Sequence, residues 1–557
     1  YSGDVGYDIS LDGGITWSNM NEVYEAQLNA GGQYFIDAAR YPQHGLYNPP
    51  GNTDPAQAYI AHFCPTTSGA NGGTWGGYAF GRGKIGDVSD TLRNFKDMDP
   101  SGSLFYYVPN GFTINKLGEM WVTDRNMDWS SGALVWTNQM LIIHGLWNNE
   151  IMDYEIEVIP WQCQTHPSAG PPSDTKVEFS PDGQIGYIAA LTDIEEVPIS
   201  LGTSLYPVLW RTEDGGATWS DPIPVAIAGV DGIEAVKNYL SDLEIAELYN
   251  PPLPARDEIP FTTAFDMDLS VDAWGNPHIV VVCGVTGSSS YSIVTGKSAA
   301  SGYAFTAVFL LSSNDKGNEG SWEGHELSRL FAFRGNFGEL SEDNRPQISR
   351  DQYGYKMFAS WLDTDTTVSS ENNAPDIWAR GFDVFTKELT TNESGQNKAT
   401  NVTFGSEGTF SAYYHGMANE VFHDGAGNYT IPFTYQGMNP ADPIQPVQFK
   451  YIQDFSFQMV VSVEEKVLTR QEPIQVSQTV PNPASTNARF DITLDAPSIV
   501  SVKVTNMMGQ VVKTLAASDY QKGTSQISID ISDLTSGVYF YTVEAGRNSV
   551  TKKMIVK

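Results

Sequence analysis

Hydrophobic and polar positions along the chain exchange places in one recurring way. A short alternating stretch runs into a turn containing Asp and Gly, and a run of β-branched, aromatic or small apolar residues follows. The unit reads MDPSGSLFYYV from Met98, FSPDGQIGYIAAL from Phe179, LSVDAWGNPHIVVV from Leu269, ISRDQYGYKMFASW from Ile348 and VFHDGAGNYTIPF from Val421. A looser version starts near Ala39, where ARYPQHGLYNPP precedes AYIAHF. Period-two alternation predicts strands, and bounded apolar runs predict buried ones. About six units averaging roughly 75 residues predict a ring of small antiparallel sheets joined by long loops.

A second turn recurs late in these units. ISLDGGITWS (9–18) and RTEDGGATWS (211–220) hold Asp12–Trp17 and Asp214–Trp219 at one spacing. VTDRNMDW (122–129) keeps Asp124 and Trp129 with Asn126 in place of a glycine, and SNDKGNEGSW (313–322) keeps Asp315, Gly317 and Trp322 around a loop two residues longer. In these turns the Asp is expected to accept backbone N–H groups, Gly14 and Gly216 to supply positive φ, and the Trp to pack between sheets. The first turn precedes the first unit and none follows the last. The N-terminal hairpin is therefore expected to complete the last sheet and close the ring, which removes the open-edge problem.

One segment breaks the strand pattern. IEAVKNYLSDLEIAELY (233–249) places Ile233, Val236, Leu240, Leu243 and Leu248 near one helical face before Asn250-Pro251-Pro252, which predicts a helical insertion packed on the rim. The expected organisation is a repeat domain over residues 1–465, a linker over 466–477 and a separate antiparallel sandwich over 478–557. Strands such as RFDITL, IVSVKVTN and GVYFYTVEA carry the last of these.

Charge narrows the partners. The 557 residues carry 32 Lys+Arg against 66 Asp+Glu, a net charge of −34, which repels phosphate backbones and excludes nucleic acid. The last 80 residues depart from this, at +2 against −36 for the rest. No apolar run approaches the length of a helical membrane span. Cys64, Cys163 and Cys283 show neither a disulfide framework nor metal spacing; one bridge with a free thiol and three buried thiols both stay open. The eight histidines, His415 and His423 among them, show no metal spacing either, and no Gly-x-Ser-x-Gly elbow occurs. No cofactor is expected; calcium held between acidic loops stays open, without a ligand set. The chain begins at Tyr1 rather than Met, so an upstream segment, an export signal among the options, is expected to have been removed or left out.

The turns at Asp12, Asp124, Asp214 and Asp315 resemble the Asp-box of sialidase-type β-propellers and their many non-sialidase relatives. The resemblance implies an all-β fold, a sialidase-like β-propeller of about six blades, with each box a structural fastener in an outer hairpin, away from the central pocket. A true sialidase would need an arginine trio, a Tyr–Glu pair and an acid Asp. The nearest string to the family's Arg-Ile-Pro-like motif is Arg40-Tyr41-Pro42, which departs from it at the middle residue; Arg345 and Arg380 are the other candidate ligand arginines. Asp363 and Asp365 in WLDTDTT read as a solvated turn, with glycosidase carboxylates and calcium ligands as alternatives. The Gly-rich aromatic stretch 69–83 is a candidate contact loop for glycan or protein.

The C-terminal module resembles the sorting domain of type IX secretion cargo from Bacteroidota. The residues that carry the likeness are Pro481-Asn482-Pro483, Gly509 in MGQVV, Gly537 and Tyr539 in LTSGVY, and Lys552 and Lys553 in the closing KKMIVK. It implies export across the outer membrane, the type IX machinery as partner, and a secreted or cell-surface location. In that family the domain is commonly removed when cargo is anchored or released. The functional reading is a non-catalytic surface or secreted scaffold for binding or assembly. A carbohydrate-active, sialidase-like hydrolase and a self-associating layer or filament subunit stay open beside it.

Overall fold

The computed structural model describes residues 3–49, 52–69, 73–194, 203–334, 343–365, 367–439, 442, 445–460, 475–494, 498–506, 510–545 and 548–557. The chain divides into two units, Tyr1–Met459 and Val460–Lys557. Both are built of β-strands; among the described residues, α-helix is confined to Glu234–Asn238 and Asp242–Leu248.

The large unit is a succession of antiparallel sheets in chain order. The first joins Gln43–Tyr47, Tyr59–Ser68, Thr74–Lys84 and Asp87–Asp97, with Ala38–Ala39 on the same edge as Gln43–Tyr47. The second joins Gly111–Ile114, Met120–Asp128, Val135–Asn148 and Asp153–Gln162, and the third Asp174–Phe179, Gly186–Thr192, Tyr206–Thr212 and Ile223–Pro224. The fourth joins Phe261–Val271, Pro277–Val285, Thr306–Ser313 and Trp322–Arg329, and the fifth Gln347–Asp351, Lys356–Asp363, Asp376–Asp383 and Thr400–Asn401. The strands that follow form two groups, together called the sixth sheet below: Tyr413–Met417, Phe433–Gly437 and Gln448–Ile452 make an antiparallel sheet of their own, whereas Glu420–His423, Asn428–Thr430 and Ser456–Gln458 continue the fifth, Glu420–His423 pairing in parallel with Gln347–Asp351.

The hairpin between first and second strands is one motif reused. Asp272 Oδ1 accepts the N–H groups of Trp274 and Asn276 (both 2.8 Å), Asp351 Oδ1 those of Tyr355 and Lys356 (2.7 and 2.8 Å), and Asp424 Oδ1 those of Ala426 and Asn428 (2.7 and 3.1 Å). The expectation at Met98 has the wrong register. Asp99–Gly102 makes a short 3-10 turn before the second sheet, and that sheet's own hairpin lies at Asn115, whose Oδ1 accepts from Leu117 and Glu119 (both 3.0 Å). Asn replaces Asp there, which hid the repeat.

The outer turns are equally uniform at three of the four expected places. At Asp12, Asp214 and Asp315 the N–H of Gly14, Gly216 or Gly317 reaches a Ser or Thr hydroxyl four residues earlier (2.7, 2.9 and 2.7 Å). The Trp17, Trp219 or Trp322 indole N–H returns to the glycine carbonyl (3.2, 3.0 and 3.2 Å). Gly216 and Gly14 are required twice over: φ is +98° and +89°, and a Cβ would stand 2.4 Å from the Trp121 ring and 2.2 Å from the Tyr451 ring. The fourth place is a correction. Asp124 lies inside the strand Met120–Asp128, paired with Leu141, so no turn exists there; Trp129 follows the strand and its indole N–H has no described partner. Asp124 is fully buried and accepts the Tyr78 hydroxyl (2.5 Å) and the Tyr107 N–H (2.8 Å); burial pushes its carboxyl up to about 6.

Closure also differs from expectation. Val5–Tyr7 and Asn21–Tyr24 pair only with each other. The hairpin leans on the sixth sheet through Trp17 and Tyr451 (ring centroids 5.2 Å apart). It leans on the first through Tyr24, whose hydroxyl donates to the Asp37 carbonyl (2.8 Å) beneath the Arg93 guanidinium. Side-chain packing replaces the ladder, because the hairpin stands between two sheets rather than at the edge of one.

The helical insertion is two helices, not one face. Ser241 and Glu244 form a capping box that starts a new helix and breaks the periodicity. Ile233, Val236, Leu240 and Ile245 are buried, whereas Leu243 is 69% exposed. The pair is held to the fourth sheet by the Glu244–Arg329 ion pair (2.9 Å) and the Tyr239 hydroxyl on the Phe305 carbonyl (2.6 Å). Of the stretch 69–83, residues 74–83 are not a loop but part of the strand Thr74–Lys84, with Tyr78, Ala79 and Phe80 in the core; 70–72 lie outside the described residues.

The small unit is a sandwich of a three-stranded sheet (Gln475–Val476, Asn487–Leu494, Gly523–Asp530) and a four-stranded one (Val511–Tyr520, Ser498–Asn506, Gly537–Ala545, Asn548–Val556). Alternate residues meet between them: Phe490, Ile492, Val502, Val504, Ile527, Ile529, Tyr541, Val543 and Met554 are buried.

Candidate functional site

The first strands of the third, fourth and fifth sheets border one cavity of about 760 Å³, with Asn110 and Arg125 of the second sheet beside them. Its charged lining comes from several places. Arg125 stands in the second sheet, Asp174 and Lys176 in the first strand of the third, and Asp266 and Asp268 in the first strand of the fourth; Arg334, Asp343 and Arg345 come from the segments before the fifth. Short polar contacts stitch these strands together. The Asn110 amide donates to Asp174 Oδ1 (2.9 Å) and accepts from the Arg125 guanidinium (3.1 Å), Asp174 Oδ2 accepts the Met267 N–H (3.0 Å), and Asp268 Oδ2 accepts the Ile348 N–H (2.9 Å). Lys176 Nζ lies 3.4 Å from Asp174.

Two features aim the charges inward. Charged pairs spaced by two, Asp174/Lys176 and Asp266/Asp268, fall on one face of a strand. In the fourth sheet the ladder is interrupted between Thr263 and Met267, which re-aims Asp266 within its strand. The cations are backed by rings: the guanidinium carbon of Arg345 lies 4.4 Å from the Tyr414 ring centre, that of Arg334 5.0 Å from Phe265, and that of Arg125 5.4 Å from Tyr107. The Nε atoms of Arg345 and Arg125 are buried with no described hydrogen-bond partner.

The titration of the site follows from this crowding. Burial, and then the neighbouring charges of Asp343 and Asp174, push the Asp266 carboxyl up to about 8. Burial raises Asp268 to about 6 against the pull of Lys176. Burial works against the Lys176 ammonium, but Asp174, Asp268 and Asp266 outweigh it and leave it above the usual lysine range. Four aspartates thus face three arginines and a lysine, and the raised Asp266 carboxyl tips this balance toward the cations in a chain of net charge −34.

Of the three arginines singled out from sequence, only Arg345 lines this cavity. Arg40 donates to its neighbour's carbonyl, Ala39 O (2.8 Å). Arg380 is buried in the fifth sheet and clamps the carbonyls of Leu327 (3.0 Å) and Thr390 (3.2 Å), the amide of Asn397 completing the set. Both serve the fold. Asp363 is also structural: it accepts the N–H groups of Phe331, Ala332 and Thr364 (2.7, 2.8 and 2.9 Å), and Asp365 accepts that of Thr367 (2.8 Å). No cluster of metal-ligating side chains occurs among the described residues. Cys64, Cys163 and Cys283 are free and buried. Sequence reasoning missed Arg125, Asp174, Lys176, Asp266, Asp268, Arg334 and Asp343; charged residues at spacing two in the opening strand of a sheet were the available signal.

In the small unit Asn482 Oδ1 accepts the Ile555 N–H (2.9 Å), tying Pro481-Asn482-Pro483 to the last strand. The Tyr539 hydroxyl donates to the Thr535 carbonyl (2.8 Å). Gly537 opens the strand that pairs with Asn548–Val556, where Lys552 is half-buried and Lys553 exposed. Gly509 lies outside the described residues.

Residues 479–557 match the family model of the secretion system C-terminal sorting domain. No curated protein matches the chain. Among solved structures, it is similar to PorZ, an essential surface component of the type-IX secretion system of Porphyromonas gingivalis, at 12% identity and a TM-score of 0.32, over 97% of this chain and 55% of that one. The chain thus spans about half the length of PorZ. It is also similar to an ulvan lyase of polysaccharide lyase family 25 (10% identity, TM-score 0.36, 82% and 92% covered). A third similar structure is a family 43 arabinoxylan arabinofuranohydrolase of Bacillus subtilis (10%, 0.29, 93% and 94%). At such values the likenesses assign no activity. The sorting-domain match does assign a route: this chain is exported by type IX secretion to the cell surface or beyond.

Proposed function

We propose that the exported chain is a β-propeller of six blades, with the N-terminal hairpin wedged between the last and the first, and that it binds an anionic carbohydrate at the mouth of its central channel. One observation carries this reading: Arg125, Arg334, Arg345 and Lys176 line a single cavity with four aspartates, one of which burial holds well above the usual carboxylate range. Guanidiniums backed by aromatic rings suit a carboxylate or sulfate, and the Asp oxygens suit sugar hydroxyls. The Asp-box turns at Asp12, Asp214 and Asp315 act as fasteners between blades, and the tail addresses the protein to the type IX machinery.

The test is retention of the full chain on an immobilised panel of uronate, sulfated, sialylated and neutral glycans, beside Arg345→Ala. Retention on an acidic glycan that weakens about tenfold or more in the variant supports the reading. Retention on neutral glycans alone, or equal retention of the variant, contradicts it. A second reading, hydrolysis with Asp266 as proton donor, draws on its raised carboxyl. It requires that the wild type release reducing ends from the retained glycan and that Asp266→Asn bind without releasing them.

A further inference from the structure

A second hollow, of about 510 Å³, lies at the hairpin ends of the fourth and fifth sheets, with Trp274, Asn314, Phe385 and Lys387 in its wall. Aromatic rings gather there. Trp274 lies 4.9 Å from Phe385 and 5.5 Å from Tyr355, Tyr355 lies 5.5 Å from Phe385, and Tyr353 stacks on Tyr355 at 5.8 Å (ring centroids). Two of these rings are open to solvent, Trp274 at 41% and Tyr353 at 37% exposure.

The turns that carry them do not need them. The same inner hairpin recurs in five sheets, and the position of Trp274 and Tyr353 is filled by Leu117, Asp182 and Ala426 elsewhere. At Asn115 and Asp424 the amide or carboxylate still accepts the following N–H groups, in the third sheet Ser180 takes that place and its hydroxyl accepts the Ile185 N–H (3.1 Å), and the residue after the varied position is a glycine at positive φ: Gly118, Gly183 and Gly427. Aromatic rings at this position occur only in the two adjacent sheets that border the hollow. Single exposed rings are ordinary on a protein surface, but four in contact beside amide and ammonium groups form a platform.

We infer that this hollow is a second carbohydrate site, which takes an uncharged polysaccharide by stacking a pyranose ring on the Trp274 indole, with Asn314 and Lys387 meeting its hydroxyls. The volume suits one or two sugar rings. The charges are balanced rather than cationic: the Lys316 ammonium is paired with Glu213 (2.9 Å) and Asp315 shares the wall. Such a surface offers a polyanion no concentrated positive charge. The site stands apart from the channel cavity and does not depend on it.

Affinity electrophoresis of the full chain through gels containing hydroxyethyl cellulose, galactomannan, laminarin or dextran sulfate tests the inference. At least one of the three neutral polymers is expected to retard the wild type, and any retardation by dextran sulfate is expected to weaken in Arg345→Ala but not in Trp274→Ala. Trp274→Ala is expected to weaken the retardation by the neutral polymer about tenfold, Trp274→Tyr to keep most of it, and Lys387→Asn, which tolerates the local φ of +60°, to weaken it severalfold. Arg345→Ala is expected to leave it unchanged, so failure here is separable from failure at the channel. Absence of retardation by every neutral polymer, or equal retardation of Trp274→Ala by the neutral polymers, overturns it. Self-association lost in Trp274→Ala would assign the platform to a second copy of the chain and overturns it as well.

Discussion

Asp214 and Asp266 are one residue type held in opposite ways. Asp214 sits on an exposed outer turn, where the hydroxyl and N–H of Thr218 bind its two oxygens (2.7 and 2.8 Å) and hold its carboxyl below the usual range. Asp266 faces the polar cavity, where burial and two further aspartates push it up to about 8. The first draws its partners from its own ten residues. The second draws its surroundings from strands and loops of three sheets. Fastening is local chemistry repeated along the chain, whereas the site is assembled only by the fold.

The largest expected effect is on the Asp266 side of this contrast. Between about pH 4, where an unfolded Asp titrates, and about pH 8, the native state holds a proton that the unfolded chain has lost. Native stability therefore falls as pH rises through that window. Asp266→Asn removes the loss, so its midpoint temperature relative to wild type should climb from pH 4 to pH 8 and level off above. A flat difference across this range would show that Asp266 is not the group the cavity keeps protonated.

Next in size is the fastening of sheets. Trp219 meets Trp121, Trp161 and Phe179 (5.7, 5.9 and 6.2 Å between ring centroids), whereas Trp17 is 46% exposed and its one described ring neighbour is Tyr451. Trp219→Ala should cost about 2–3 kcal/mol in chemical denaturation, and Trp17→Ala clearly less. Equal losses would mean that the turns matter as local structure rather than as packing between sheets.

The smallest effect belongs to Asp12. The Thr16 hydroxyl, then the Thr16 N–H and the Ser10 hydroxyl, lower its carboxyl to about 2. A depressed carboxyl contributes stability above about pH 4 that is lost as pH falls through about 2. Asp12→Asn should thus lower the midpoint slightly at pH 7 and by a clearly smaller amount at pH 2, measured by thermal melts at both values. A variant as stable as wild type at pH 7 would remove the carboxylate from the turn's energetics.

What the sequence disclosed follows the same division. The Asp-Gly turns, the change of character near the tail and its sandwich strands all rest on short-range patterns, and each was legible. The misreading at Asp124 shows the limit. VTDRNMDW has the letters of a turn, but Leu141 pairs with Asp124 across a ladder that only the folded sheet supplies. The same strand carries Arg125 into the cavity, so a residue of the site was hidden inside a false fastener. Arg40 and Arg380 failed for the converse reason, since nothing local reveals that a guanidinium will be used up on backbone carbonyls.

If the Asp266 proton is what lets the four cations of the cavity hold an anionic sugar, binding must follow its titration. Isothermal titration of the full chain with 3′-sialyllactose and with trigalacturonate from pH 6 to pH 9 reads this out. The account predicts that affinity for at least one of them falls as pH rises past about 8, where Asp266 ionises, and that Asp266→Asn binds the same ligand with no such fall. Absence of binding to both, or an identical pH dependence in wild type and variant, would contradict it.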